Sequence, residues 1–193
     1  MNDSAVIVLA AGQGKRMQSH LPKPLVPVSG RPIVDHLLDA ISAAGIDEVS
    51  VVVGHQAEVM RAHLGDDVHT PLQSVRNGTA HAVDVAKSTV QGADEIFVFV
   101  GDSPLIRPAS IELLQDIHRE TGAACSFLTA AFGQHYPYAR VVRGLDGSVD
   151  AVIEERDCTP DQLEINEYLT SHFLFDAEAL WTVLDEVKPH PDT

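Results

Sequence analysis

Residues 5–17 read Ala5-Val6-Ile7-Val8-Leu9-Ala10-Ala11-Gly12-Gln13-Gly14-Lys15-Arg16-Met17, an unbroken apolar run that passes directly into a loop of small and basic residues. A short apolar run without alternation is typical of a strand that is buried on both faces of a parallel sheet. We therefore expect a strand over Ala5–Leu9, with the glycine-containing loop at its carboxyl end.

Strands and helices alternate along the chain beyond this loop. Pro32 suits the first turn of a helix that runs to Gly45, and a strand follows directly. The alternation predicts an α/β fold with a Rossmann-like, mixed but mainly parallel sheet flanked by helices. The other expected helices cover residues 57–64, 79–88, 108–121 and 177–187, and the expected strands cover residues 48–53, 95–100, 124–131 and 168–175.

Local patterns predict which side chains are buried and where the chain reverses. Ile111, Leu114 and Ile117 recur on one face of the helix expected at 108–121, so we expect all three in the core. Cys125 lies in the apolar run that follows and is expected to be a small buried residue. Residues 139–143 and 148–154 flank a glycine-rich turn at 144–147, which predicts a hairpin.

Length and charge narrow the class of protein. A chain of 193 residues fits one domain, and its two cysteines have no evident pairing, which predicts a reducing cytoplasm. The formal net charge of −15 argues against broad binding to nucleic acid or anionic lipid. No segment approaches the run of about 18 apolar residues that suggests a membrane span. We expect a cytoplasmic protein that has neither nucleic acid nor a membrane as a partner.

The first loop differs from two common glycine motifs. Met17 takes the place of the third glycine of the dinucleotide fingerprint, and Gly14-Lys15 is followed by Arg16 rather than by the Ser or Thr of a P-loop. What remains is a strand, backbone N–H groups that can approach an anion, and two basic side chains. The loop therefore suggests a phosphate site, although basic residues on a surface loop can also be simply solvated.

The segment Leu9-Ala10-Ala11-Gly12-x-Gly14-x-Arg16-Met17, followed by Leu21-Pro22-Lys23, resembles the signature of sugar-nucleotide pyrophosphorylases, especially the N-terminal uridylyltransferase domain of bifunctional GlmU enzymes. The resemblance implies that residues 1–193 form a single nucleotidyltransferase domain that lacks its C-terminal part. A homo-oligomer would then form only in a longer chain. Further segments match in order and spacing: Gly54-His55, Gln73, Gly78-Thr79-Ala80-His81-Ala82, Gly101-Asp102-x-Pro104-Leu105, Tyr138-x-Arg140-Val141 and Val152-Ile153-Glu154-x-x-Asp157.

The resemblance implies attack by an oxygen of a sugar 1-phosphate on the α-phosphorus of a nucleoside triphosphate, with pyrophosphate leaving. Such chemistry needs cations aligned with the incoming and departing groups more than it needs a protein nucleophile. By this likeness Arg16 contacts the leaving pyrophosphate and Lys23 the reacting phosphate, and both are assigned as catalytic. The implied nucleotide-binding residues of the first loop are Leu9, Ala10, Ala11, Gly12 and Gly14.

Asp102 is the candidate metal ligand. It follows the strand expected at 95–100, so its carboxylate should emerge at the same sheet edge as the first loop. Mg²⁺ is often held by one or two carboxylates together with phosphate oxygens, and the resemblance implies Mg²⁺ as the cofactor. The alternative is that Asp102 caps the turn before Pro104. The asparagine that supplies a second ligand in the resembled family has no counterpart in residues 1–193.

Residues for the base and the sugar are also implied by the resemblance. Gln73, with Gly78 and Thr79, is assigned to the base of the nucleotide, since a side-chain amide offers both a donor and an acceptor to uracil. Glu154 is assigned to the sugar hydroxyls, and Ala139 takes the place of a glycine beside the sugar. The implied substrates are UTP and N-acetylglucosamine 1-phosphate.

Three departures from the family pattern leave other functions open. Arg76 replaces a glutamine near the base, Ala139 replaces a glycine, and Leu169 replaces an asparagine near the sugar. A changed polar wall can alter the accepted sugar or lower the rate. The alternatives are a related transferase with another sugar or nucleotide, including a MobA-like guanylyltransferase, and a nucleotide-sugar sensor with weakened activity.

Overall fold

The computed structural model describes residues 3–14, 17, 19–75 and 77–187. Within them the chain forms two compact units, one drawn from residues 1–126 and 173–193 and the other comprising residues 127–172. Arg16, which was predicted to be catalytic, and Arg76 lie outside the described residues. The single domain over 1–193 stays a prediction.

The secondary structure confirms the predicted α/β class. In the first unit the strands Ser4–Leu9, Glu48–Val52 and Glu95–Val100 pair in parallel, whereas the short strands Pro27–Val28 and Arg31–Pro32 pair antiparallel. The pairs within the second unit are antiparallel, so the strand pairing is mixed. The described helices include none with the length and apolar content needed to cross a bilayer. The elements in chain order are β1 Ser4–Leu9, a 3-10 turn Lys23–Leu25, β2 Pro27–Val28, β3 Arg31–Pro32, α1 Ile33–Ala43, β4 Glu48–Val52, α2 Ala57–Leu64, α3 Gly78–Val85, a 3-10 turn Lys87–Thr89, β5 Glu95–Val100, α4 Pro108–Thr121, β6 Cys125–Ala131, β7 Arg140–Arg143, β8 Val149–Ile153, a 3-10 turn Glu155–Asp157, α5 Pro160–Leu163, β9 Glu167–Asp176 and α6 Ala177–Leu184.

Strand β1 pairs in parallel with β4 and with β5. Its residues 5–8 have no solvent exposure, so both faces of the strand are covered, as the unbroken apolar run predicts. Leu9 is opposite Val52 in one ladder and opposite Val100 in the other. Because these three residues lie at one level, the loops that follow them leave the sheet at the same edge.

Helices supply the apolar cover of these strands. One buried cluster joins Ile7 of β1 to Val83 of α3 and Leu180 of α6. Helices α1 and α4 contact each other, and α1 buries its apolar stripe, which includes Leu37 and Ile41. Burial of this apolar surface is the main favourable contribution to folding, and it holds the strand ends where the loops begin.

Helix α4 differs from the prediction in its buried face. Ile111 and Leu114 are buried as predicted, but Ile117 is 47% exposed and His118 is buried instead. At 3.6 residues per turn, His118 lies only about 20° around the helix from Ile111, whereas Ile117 lies about 120° away. A hydrogen bond of 2.9 Å between His118 Nδ1 and Ser126 Oγ satisfies the buried ring.

Cys125 was wrongly predicted to be buried, since it is exposed. It begins β6, whose residues are all exposed or only partly covered. The apolar run was therefore not a sign of a strand covered on both faces. The predicted hairpin of the second unit is confirmed: β7 and β8 pair antiparallel, and the Gly144 N–H donates to the Ser148 carbonyl at 2.9 Å.

We expect His118 to make the fold less stable as the pH falls below about 6.5, the ordinary histidine value. Burial lowers the pKa of His118, although Glu95 and Asp176 oppose the shift. The unfolded chain therefore takes up the proton first, and folding free energy is lost as the pH falls toward the folded-state pKa. Glutamine does not titrate. The free energies of unfolding of wild type and H118Q, measured with denaturant, should differ less at pH 5.5 than at pH 7.5.

The exposed His20 supplies the matched control. H20Q, measured in the same way, shows the effect of removing a histidine that lies outside the core. An H118Q difference that stays constant over this range would contradict the assignment of the proton uptake to His118.

Candidate functional site

A cavity of about 400 Å³ opens at the carboxyl ends of β1 and β5. In parallel α/β sheets this edge is where ligands bind. Ten of the residues predicted from the sequence line the cavity: Leu9, Ala10, Ala11, Gly12, Gly14, Lys23, Gln73, Gly78, Thr79 and Asp102. The remaining lining residues, which were not assigned from the sequence, are Pro24, Ala82, Val100 and Gly101.

Backbone hydrogen bonds hold the start of the first loop. The Ala10 N–H donates to the Val52 carbonyl at 3.0 Å, and the Gly101 N–H donates to the Leu9 carbonyl at 2.9 Å. A Cβ at Gly54 would lie 2.8 Å from the Ala11 carbonyl oxygen and from its Cβ, so glycine alone fits against the loop there. Gly54 entered the sequence comparison only as a matching residue, and its physical role is this close approach.

Gly14 fits the loop against Lys23. Its φ of +56° is in the left-handed region, and a Cβ there would lie 2.9 Å from the Cβ of Lys23. Lys23 opens the 3-10 turn Lys23–Leu25, in which Pro24 and Leu25 are buried. The backbone of Lys23 is thus held by the burial of the two residues that follow it. Gly14, which has no side chain, packs closely against Lys23 from the first loop.

Lys23 and Asp102 form an ion pair between Nζ and Oδ2 within the cavity. Their side chains are 36% and 32% exposed, so water partly screens the attraction and the pair contributes little to stability. The pair matters for chemistry because it places a cation and a carboxylate side by side at the ends of the parallel strands. An anion could contact the first, and a cation the second.

Gln73 and the start of α3 form another wall of the cavity. Gln73 is buried, and its Nε2 lies 3.0 Å from the Gly78 carbonyl and 3.2 Å from His81 Nδ1. Asn77 precedes the helix and makes no side-chain cap hydrogen bond. The first N–H groups of α3 are therefore not used by that side chain, and helix N-termini of this kind suit partial negative charge.

Ala139 and Glu154, the residues assigned to the sugar, both belong to the second unit. Ala139 is buried, and its carbonyl accepts from the N–H of Leu169 at 3.0 Å. The two departures from the family pattern on the sugar side are therefore direct neighbours. Glu154 is exposed and precedes the 3-10 turn of residues 155–157. Their roles in binding a sugar stay predictions.

Arg140 is a structural residue of the second unit whose burial was not predicted. It has no solvent exposure, its Nη1 donates to the carbonyls of Tyr136 and Tyr138, and its guanidinium lies 4.6 Å from the ring centre of Tyr168. These contacts hold the main chain that leads into Ala139. Arg140 was part of the motif match, but nothing in the sequence indicated that this arginine, which precedes two valines, is completely buried.

Metal-ligating side chains do not cluster: the described residues contain no group of three or more His, Cys, Asp or Glu placed to hold an ion. Within the cavity the carboxylate that lines the wall is that of Asp102. A divalent cation at this point would therefore take its other ligands from phosphate oxygens and water, which is a common arrangement for Mg²⁺.

We expect the substitution G14A to destabilise the protein by about 1–3 kcal/mol, since it adds strain at a left-handed residue and a collision with Lys23. G12A is the matched control, because a Cβ at Gly12 would meet nothing within 4 Å. Thermal and denaturant unfolding of the two variants should separate them. Equal stability of G14A and G12A would show that Lys23 does not depend on the close approach of Gly14.

The fold and the cavity together define a class. Parallel strands that end in a glycine-containing loop, with a lysine, an aspartate and a helix N-terminus at the same edge, are typical of α/β proteins that bind nucleotides. The chain belongs to the family described as the MobA-like NTP transferase domain, whose model matches residues 6–159.

Curated relatives agree with the resemblance seen in the sequence. The bifunctional protein GlmU of Exiguobacterium sibiricum is 41% identical over 189 residues, which are 97% of this chain and 42% of that protein. GlmU of Shouchella clausii is 40% identical with the same coverage, and GlmU of Bacillus cereus is 39% identical over 97% of this chain and 41% of the relative. The chain thus spans about two fifths of the length of these relatives.

A solved structure supports the fold. A Bacillus anthracis protein provisionally assigned as a glucose-1-phosphate thymidylyltransferase, crystallised in complex with sucrose, aligns with a TM-score of 0.79 over 96% of this chain and 76% of its own. The sequence identity is 20%, so the likeness concerns the fold alone. It confirms the predicted α/β architecture, in which helices flank a mixed, mainly parallel sheet.

Proposed function

We propose that this chain is a nucleotidyl-transfer domain that joins a nucleoside triphosphate to a sugar 1-phosphate and releases pyrophosphate. The favoured substrates are UTP and N-acetylglucosamine 1-phosphate. The observation that carries the proposal is that residues from four separate segments, 9–14, 23, 73–79 and 102, line one cavity at the edge where parallel strands end. The identity of about 40% to GlmU proteins supports it.

In this proposal the protein acts by positioning and by charge. The main-chain N–H groups of the first loop and the Lys23 ammonium stabilise negative charge on the transferring phosphate. Arg16, outside the described residues, keeps its assignment to the leaving pyrophosphate. The ion pair with Asp102 holds the lysine in the cavity before a phosphate arrives.

The base assignment relies on Gln73, Gly78 and Thr79, which line the same cavity as Lys23. Uracil and guanine both carry a ring N–H that can donate a hydrogen bond to the carbonyl oxygen of a glutamine side chain. The family model, which is named for MobA-like transferases, therefore keeps guanylyl transfer as a second candidate. Pyrophosphate release measured over UTP, GTP, CTP and ATP, each with several sugar 1-phosphates, separates the two, and an absence of turnover with UTP would reject the first.

Mg²⁺ is the proposed cofactor. The donor chemistry fits, since the Asp102 carboxylate lies beside the lysine that would contact phosphate, and one carboxylate with phosphate oxygens and water is enough for this ion. When bound, Mg²⁺ would neutralise phosphate charge.

Ala139 and Glu154 are proposed to contact the sugar. Leu169, whose N–H donates to the Ala139 carbonyl, would make that part of the sugar site less polar than an asparagine would.

We expect K23A to lower kcat/KM with the preferred triphosphate by about 100-fold or more, because a charged contact to the reacting phosphate is lost. Lys87 is the matched control: its Nζ lies over the Trp181 ring at 5.2 Å, and it is not among the residues that line the cavity. K87A should therefore retain activity. Comparable losses in K23A and K87A would contradict the assigned role.

Asp102 is tested through the metal requirement. D102N keeps the size of the side chain and removes its charge, so we expect the Mg²⁺ concentration that gives half-maximal activity to rise by at least about tenfold. The measurement is a Mg²⁺ titration at saturating triphosphate. D39N, which removes the exposed partner of Arg31, serves as the control. An unchanged Mg²⁺ requirement in D102N would remove Asp102 from the metal site.

A further inference from the structure

We propose that His81 is a positioning residue: it sets the orientation of the Gln73 amide, and through it the choice of the nucleotide base. The inference rests on the proposed function, because it requires a nucleotide in the cavity that Gln73 lines. It concerns a side chain that the sequence analysis did not assign to the site.

The chemistry of the Gly78 carbonyl determines which way the Gln73 amide faces. The Gly78 oxygen lies 3.0 Å from the Gln73 amide and can only accept a hydrogen bond. Exchanging the amide oxygen and nitrogen would bring two acceptors together at that distance. The NH₂ group of Gln73 must therefore face Gly78.

His81 takes up the second N–H of the same amide. Its Nδ1 lies 3.2 Å from Gln73 Nε2, and since that nitrogen donates, Nδ1 must offer a lone pair. The neutral ring then carries its proton on Nε2. Gly78 and His81 are three residues apart in α3, and this spacing places them on the same side of the helix.

Two acceptors fix the plane of the amide, whereas one would not. The terminal torsion of glutamine is broad, so a single hydrogen bond to Gly78 leaves the group able to turn. With both N–H groups engaged, the remaining polar atom is Oε1, for which the described residues show no hydrogen-bond donor. Gln73 is 5% exposed and lines the cavity. The cavity therefore offers the base a fixed acceptor.

A fixed acceptor distinguishes bases by their hydrogen-bond polarity. Uracil presents an N–H at its ring position 3, whereas cytosine presents a lone pair at the same position. The first pairs with Oε1 and the second opposes it, which we expect to favour UTP over CTP by on the order of tenfold to hundredfold. Without an acceptor at residue 81, the second N–H of the Gln73 amide is unpaired. The amide can then rotate about its hydrogen bond to Gly78 and present that N–H to the base as well as Oε1, so the preference should fall.

The test is equilibrium binding of UTP and of CTP, measured by calorimetry so that no turnover is required. Wild type should prefer UTP, H81F should bring the ratio of the two dissociation constants toward one, and H81N should keep it, because the Asn Oδ1 can take the place of Nδ1. H63F is the matched control, since His63 lies in α2 and pairs with Asp35 at the surface. Thermal unfolding verifies each fold, and H81L replaces H81F if the larger ring is not accommodated.

The outcomes separate this inference from the function on which it rests. A wild type that prefers UTP, together with an H81F or H81L variant of unchanged ratio, would overturn the role of His81 and leave the uridylyltransferase proposal intact. Equal affinity of the wild type for UTP and CTP would overturn both the role of His81 and the assignment of the base to Gln73. Loss of the preference in H81N as well as in H81F would also overturn it, because a retained acceptor would then have no effect.

Discussion

The parallel ladders that join β1 to β4 and β5 bring the site residues to one edge of the sheet. Their residues Leu9, Val52 and Val100 lie at one level, and the hydrogen bonds continue past the strands to the Ala10 and Gly101 N–H groups. Because these are main-chain bonds, they hold the first residues of the loops without involving any loop side chain. The site can therefore vary in its side chains while its backbone stays in place.

The same arrangement of strands and loops also brings backbone segments into close contact. Gly54 against Ala11 and Gly14 against Lys23 leave no room for a Cβ at either glycine. Gly12 and Gly14 line the cavity without a side chain, and oriented main-chain N–H groups carry fixed partial positive charge. A chain with a net charge of −15 can in this way offer an anion a favourable surface with few cationic side chains.

Regular elements were predictable where a local pattern decided them. The apolar run of β1 and the helical spacing of α1 need no partner to be recognised, and their positions agree with the structure. Helix α4 shows where this reasoning ends. His118 occupies the core position that was expected for Ile117 because Ser126, in the following strand, completes its hydrogen bonding. Local periodicity cannot show that a polar residue will find such a partner.

Ten of the residues that line the cavity were named from the sequence, but their contacts were not predictable. Motifs pointed to Lys23 and Asp102 separately, and only the fold joins two residues 79 positions apart. Likewise Gln73 was assigned to a base, whereas the contact with His81 depends on how α3 is placed. Glu154 was carried over by resemblance alone, and no local pattern could indicate that it belongs to a separate unit.

The pair of Lys23 and Asp102 links the two ligands that the proposed function requires. Without substrate each charge is the other's partner, and both side chains remain about one third exposed. Under the proposed function, a phosphate that drew Lys23 away would leave a carboxylate without that cation, and a metal ion at Asp102 would release the lysine for phosphate. Each ligand would then remove a competitor of the other, and by reciprocity the two would bind more tightly together than alone. The ion pair contributes little to stability, and its proposed role is to couple the binding of the two ligands that replace it.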